Sequence, residues 1–190
     1  MADTGWLNLT TFSTVGGLSF AWVNPSNASA SDNTYATQPN STSGLSDSLQ
    51  GVGLVSSTVP SGATIDGIEV RIEAKKSSNV RAITFDLVQL VIAGTPSGSN
   101  LGSGAITTTE TVYAFGGATS LWGLTPSEAD VNGGSFGVIM RFVRGAGKSG
   151  TTQSVDQIQM KIYYTAGGGP SFIAKSNARP IQAVRRASSY

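Results

Sequence analysis

The clearest hydrophobic pattern lies in Ala63–Lys76, where Ile68, Val70, Ile72 and Ala74 alternate with Glu69, Arg71, Glu73 and Lys75. Alternation of period two is what a strand needs when one face meets a core and the other meets water. The pattern returns near the C-terminus. Ile65–Ile72 and Val155–Ile162 both read aliphatic-Asp-x-Ile-polar-aliphatic-base-Ile, so the two stretches are expected to form the major strands of one sheet system, each entered through an Asp-containing turn.

Further strands are expected on both sides of this pair. Trp6–Val15 alternates loosely and breaks at Gly16-Gly17; Leu18–Val23 is a second short segment, closed by Asn24-Pro25. Proline ends it because it donates nothing to a ladder and restricts the residue before it. Ser26–Ser46 is a long polar connection in which Tyr35-Ala36-Thr37 supplies a short pairing. Leu49–Thr58 carries Gly51 and Gly53, the mark of a bulge or a close backbone approach. Val80–Ala93 alternates at first and then becomes nearly continuously apolar over Leu87–Ala93, which implies a strand covered on both faces or a bulge that changes its register. Ala105–Thr109, Thr111–Phe115, Phe136–Arg144 and Ser154–Thr165 complete the set. The one helix start is Thr125-Pro126-Ser127-Glu128, with Thr125 as cap and Glu128 reaching back to it. Eight to ten strands at short intervals predict an all-β fold, an antiparallel sandwich of jelly-roll type with one short helical turn.

Composition supports this class. Ser, Thr and Gly make up more than a third of the 190 residues, whereas only 12% are charged. Hydroxyl residues compete with helical backbone bonds, and Thr is β-branched. The net charge of +1 conceals an asymmetry. Residues 1–165, the expected sandwich domain, carry −3, and residues 166–190 carry +4 through Lys175, Arg179, Arg185 and Arg186. Gly167-Gly168-Gly169-Pro170 separates the two, so the chain reads as a mildly acidic body with a Gly-rich linker and an extended basic arm.

Neither Cys nor His occurs. That removes disulfides, thiolate metal sites, the commonest general base and any His-dependent triad. The N-terminus has no basic and apolar leader pattern, and no apolar run approaches the ~20 residues that span a bilayer. Asn8, Asn27 and Asn40 each begin a glycosylation-type triplet, which carries no weight without export.

The remaining candidates have structural readings. Gly147-Lys148-Ser149 imitates the end of a phosphate loop, but Phe142 stands where its first glycine belongs and a strand follows. Glu128–Gly133 imitates the opening of a calcium loop whose twelfth position is Ile139 rather than an acid. Asp66 and Asp156 occupy equivalent places in the paired strands and suit turn formation better than a carboxylate pair. Trp6, Trp22, Tyr35, Tyr113 and Trp122 could form a sugar-stacking platform, with Trp22, Tyr35 and Trp122 as the candidate ligand-facing aromatics, although such rings in an all-β domain more often pack in a core or an interface. No catalytic residue, metal ligand or cofactor is implied. The basic arm is a weak nucleic-acid footprint, with Phe172 and Tyr190 as its only aromatics.

Several clusters resemble a β-sandwich module of bacteriophage virion proteins. They are Trp22-Val-Asn-Pro25-x-Asn27-Ala28, Ser31-Asp-Asn-Thr-Tyr-Ala36 and Pro60-x-Gly62-Ala63-Thr64-Ile65-x-Gly67-Ile68. Trp122-Gly-Leu124, Ala129–Asn132, Phe136-Gly-Val138 and Val155-Asp156-x-Ile158 through Tyr163-Tyr164-Thr165 continue the pattern. The resemblance spans about residues 18–165. It implies a virion structural protein assembled in a host cytoplasm, most simply a capsid decoration or cement protein and not an enzyme. The expected partners are other virion proteins and further copies of the chain. Phe172, Ile173, Ile181 and Val184 would anchor the arm on neighbouring subunits, and Arg179, Arg185 and Arg186 would pair there. The alternative function is a tail or fibre module that binds a host receptor or glycan.

Overall fold

A computed structural model describes residues 1–17, 20–39, 43–55, 59–146 and 150–167. These form an all-β, antiparallel sandwich. In chain order the strands are β1 (Ala2–Asp3), β2 (Leu7–Val15), β3 (Ala36–Gln38), β4 (Gly44–Leu45), β5 (Ser48–Leu54), β6 (Thr64–Lys76), β7 (Ile83–Ile92), β8 (Thr95–Ser97), β9 (Thr111–Gly117), β10 (Gly137–Arg144) and β11 (Gln153–Thr165). One α-helical turn, α1 (Glu128–Val131), precedes β10, and Pro25–Ala28 forms a 3₁₀ turn not expected from the sequence. The strand order is β8-β7-β10-β5-β2-β11-β6-β9, with β1 and β3 on β11 and β4 on β10.

The path curls into two layers because β2 serves both. Leu7 and Asn8 pair with Met160 and Gln159 of β11, whereas Leu9–Val15 pairs with β5. Ile68, Val70, Ile72 and Ala74 on β6 and Ile158, Met160 and Ile162 on β11 are buried against Val138, Met140 and Phe142 of β10 and Phe85, Val88 and Leu90 of β7 in one hydrophobic core. Phe85 is the hinge of that packing. Its ring lies 4.9 Å from Phe142 in its own layer and 5.1 and 5.0 Å from Tyr113 and Phe115 of β9 in the other.

The repeated Asp motif has a specific structural meaning. β6 and β11 pair antiparallel along nearly their whole length, and the register shifts twice, at Asp156 and at Asp66. Each aspartate is therefore the extra residue of a β-bulge rather than a turn former. The antiparallel pairing puts the two bulges at opposite ends of the ladder, roughly 25 Å apart at the rise of a strand. They are not a carboxylate pair. Asp66 accepts a hydrogen bond from the Thr165 hydroxyl at 2.7 Å, whereas Asp156 is fully buried. A third bulge at Asp86 in β7, opposite Arg141 and Phe142, accounts for the change from alternating to continuous apolar residues there.

Three local expectations are corrected. Leu18–Val23 is not a strand: from Phe20 onward it forms only an isolated bridge between Val23 and Thr37. Ala105–Thr109 is likewise reduced to one bridge, Ala105 with Thr84. The helix starts two residues late. Ser127, not Thr125, is the cap; its hydroxyl accepts from the Asp130 amide at 3.2 Å, and Asp130 accepts from the Ser127 amide at 2.8 Å. The cap-x-x-acid spacing occurs twice in this stretch, and Pro126 is buried ahead of the turn rather than inside it.

The Ser127 hydroxyl also donates to the Asp130 carboxylate at 2.7 Å, and this bond, followed by that from the Ser127 amide, holds the Asp130 carboxyl below its ordinary value. A depressed folded pKa contributes stability that is present above the ordinary aspartate pKa of 3.8 and is lost as the pH falls through the folded value. Ser127→Ala is therefore expected to cost about 1 kcal/mol at neutral pH. Urea midpoints at pH 7 and pH 2.5 check this: the difference between wild type and variant should shrink at the lower pH.

Candidate functional site

The outward side chains of β6 and β11 build one polar face. Cross-strand pairing fixes which residues are neighbours: Gln159 lies beside Asn8 of β2 and Arg71 of β6, and Arg71 lies beside Ala114 of β9. The next row sets Gln157 beside Glu73 and Glu73 beside Val112. Beyond the first row, Lys161 stands opposite Glu69.

A hydrogen-bond network locks these side chains. The Asn8 Oδ1 accepts from the Gln159 amide at 2.6 Å and the Gln157 amide at 3.2 Å. The Arg71 Nε donates to Gln159 Oε1 at 2.6 Å, and the Arg71 guanidinium sits 4.3 Å from the centre of the Trp6 ring. Lys161 Nζ lies 4.5 Å from the same ring. Tyr163 donates to Glu69 at 2.7 Å, and that bond, followed by burial, pushes the phenol up to about 12.

Between the rows lies a cavity of about 270 Å³ lined by Ser31, Arg71, Glu73, Val112 and Gln157. Its walls offer donors, acceptors and one apolar surface, since Val112 is half exposed. Ala114, the β9 neighbour of Arg71, is small and exposed.

At one end of the cavity three carboxylates converge. Glu73, Glu110 and Asp156 each place an oxygen within 4.8 Å of the others. Glu110 also meets Lys75 Nζ at 3.2 Å, and Lys75 donates to the Tyr35 hydroxyl at 2.5 Å. Burial raises the Asp156 carboxyl, against the Asn33 amide that donates to it. The bond to Tyr35 raises the Lys75 ammonium, and burial raises the Tyr35 phenol.

The candidate aromatics divide. Trp22 and Trp122 are 4% and 2% exposed, so neither ring can face a ligand. Their indole N–H groups donate at 2.9 Å to the Asp47 and Ile68 carbonyls, the usual provision for a tryptophan placed in a core. Tyr35 is half-buried beside the outer face, with Lys75 Nζ 4.0 Å from its ring centre. The arm residues Phe172, Ile173, Arg179, Ile181, Val184, Arg185 and Arg186 lie outside the described residues, as does the Gly147–Ser149 loop. Sequence reasoning gave a binding role to none of the cavity residues Ser31, Arg71, Glu73, Val112 and Gln157, nor to Asn8, Gln159 or Glu110. Polar alternation marked β11 as having a wet face, but only the pairing register shows which strands lie beside it.

No family model matches the sequence, and no curated protein is similar to it beyond chance. Solved structures of similar fold include carbohydrate-binding modules. The xylan-binding domain CBM22-1 of Paenibacillus barcinonensis Xyn10C shares 11% identity at a TM-score of 0.40, over 85% of this chain and 94% of that one. The Clostridium thermocellum xylanase 10B CBM22-1–GH10 modules, complexed with xylohexaose, share 9% at 0.43, over 88% of this chain and 28% of that one. The N-terminal cellulose-binding domain of Cellulomonas fimi β-1,4-glucanase C shares 11% at 0.32, over 87% and 90%. At such identities the likeness is one of fold. None of these structures is a virion protein, and the expected virion assignment is not kept. The reported neighbours are sugar-binding modules rather than capsid or tail components, so the decoration role and the virion partners are withdrawn.

Proposed function

We propose that the chain is a non-catalytic glycan-binding module whose ligand lies across the outer face of β2, β11, β6 and β9. One observation carries this: the cavity between Arg71, Glu73, Gln157, Ser31 and Val112. Sugar hydroxyls donate and accept at once, and amide and guanidinium side chains held by their own network meet them without a further ordering cost. The apolar wall at Val112 suits the C–H face of a pyranose ring. The face carries no cation excess, since Glu69, Glu73, Glu110 and Asp156 stand against Arg71, Lys75 and Lys161. That favours a neutral polysaccharide over a polyanion such as nucleic acid, whose binding rests on cation excess. The similar modules are described as binding xylan and cellulose, which makes neutral β-linked polysaccharides the first ligands to test.

Electrophoresis through gels containing soluble xylan, a mixed-linkage β-glucan or a soluble cellulose ether tests the proposal. The wild-type chain should be retarded by at least one of them. Arg71→Ala removes a charged hydrogen-bonding group, about 1.5–3 kcal/mol, and should weaken retardation by roughly tenfold or more. Migration unaffected by every polysaccharide would refute the reading, and retardation unchanged by Arg71→Ala would place the binding face elsewhere.

A further inference from the structure

We infer that Glu73, Glu110 and Asp156 form a binding site for a hard divalent cation, with calcium as the fitting ion, at the end of the cavity beneath the Asn33 loop. The three carboxylate oxygens lie within 4.8 Å of one another. Oxygen ligands at about 2.3–2.6 Å from calcium stand up to about 5 Å apart, whereas magnesium, at about 2.0–2.1 Å, requires a tighter set.

Asp156 is the independent observation. Its side chain is 0% exposed, and while one oxygen accepts from the Asn33 amide at 3.2 Å, Oδ1 has no hydrogen-bond partner. A buried carboxylate oxygen without a partner is costly unless a cation or proton meets it. The bulge in β11 places it there, and the Asn33 loop covers it. Lys75 does not fill the need. Its ammonium meets Glu110 and the Tyr35 hydroxyl, and no bond joins it to Asp156. With Lys75 counted, three carboxylates leave a charge of −2, which a divalent ion neutralises. No part of this depends on glycan binding, although Glu73 belongs to both the cluster and the cavity.

The test uses the full chain, stripped with chelator, and reads terbium luminescence excited through tyrosine, since the Tyr35 hydroxyl bonds Lys75 next to the cluster. Terbium emission should rise and be competed by calcium at lower concentration than by magnesium. Calcium should also raise the thermal midpoint of the wild-type chain. Glu110→Gln should weaken calcium binding by about tenfold or more, as loss of a ligand does. Asp156→Asn should abolish it; if that variant does not fold, Glu110→Gln and Glu73→Gln decide. Absence of calcium-competed emission and of any thermal shift at millimolar calcium would overturn the site. So would calcium binding that persists unchanged in both glutamate variants.

Discussion

Phe85→Ala is expected to destabilise the chain by about 3–5 kcal/mol, the range for removing a buried phenylalanine. The ring is 3% exposed and touches Phe142 on its own side of the sandwich and Tyr113 and Phe115 on the other. Those four rings join the layers at a point where β7 and β9 have no shared backbone ladder, so a cavity there is poorly filled by strand movement. Chemical denaturation followed by tryptophan fluorescence measures the loss. A cost below about 1 kcal/mol would mean that the layers do not depend on this contact.

Trp122→Ala is expected to cost a similar amount, about 3–5 kcal/mol, for a different combination of reasons. The indole fills core space at 2% exposure, and its Nε1 satisfies the Ile68 carbonyl in β6. Gly116 makes room for it: a Cβ there would stand 2.8 Å from the indole nitrogen and 2.3 Å from the Ile68 oxygen. Trp122 itself has a φ of 57°, a conformation that a non-glycine residue holds only where its surroundings fix it. Trp122→Phe separates the contributions, since it keeps most of the ring and leaves the Ile68 carbonyl unpaired. It should cost less than the alanine variant. Glycan retardation by the folded Phe variant should equal that of the wild type, because the ring never reaches the outer face.

The body of the fold was legible because alternation is a local signal. Ile68, Val70 and Ile72 face inward, and Glu69, Arg71 and Glu73 face outward, as period two requires. The change of pattern at Leu87 left a strand covered on both faces and a bulge as its two readings, and the register shift opposite Arg141 and Phe142 selects the bulge. What failed was whatever depended on neighbours distant in sequence. Trp22 and Trp122 fit a core more readily than a platform by residue type, and their placement under β6 and β10 decides it. The paired aspartates looked equivalent, yet one bulge opens to the Thr165 hydroxyl and the other is covered by the Asn33 loop. Glu110 precedes β9 in an unpatterned loop and carried no signal. The virion resemblance rested on turn and strand-entry residues such as Pro60-x-Gly62-Ala63, which report how a sandwich is built rather than what its face binds.

The central claim is that the outer face of β2, β11, β6 and β9 takes a sugar chain. Nuclear magnetic resonance of the side-chain amide and indole N–H groups, recorded while a soluble xylo- or cello-oligosaccharide is added, tests it most directly. The account predicts saturable shifts for the Asn8, Gln157 and Gln159 amides and the Trp6 indole, with the Trp22 and Trp122 indoles unmoved. Shifts confined to other parts of the chain, or none with any oligosaccharide that retards the protein, would contradict it.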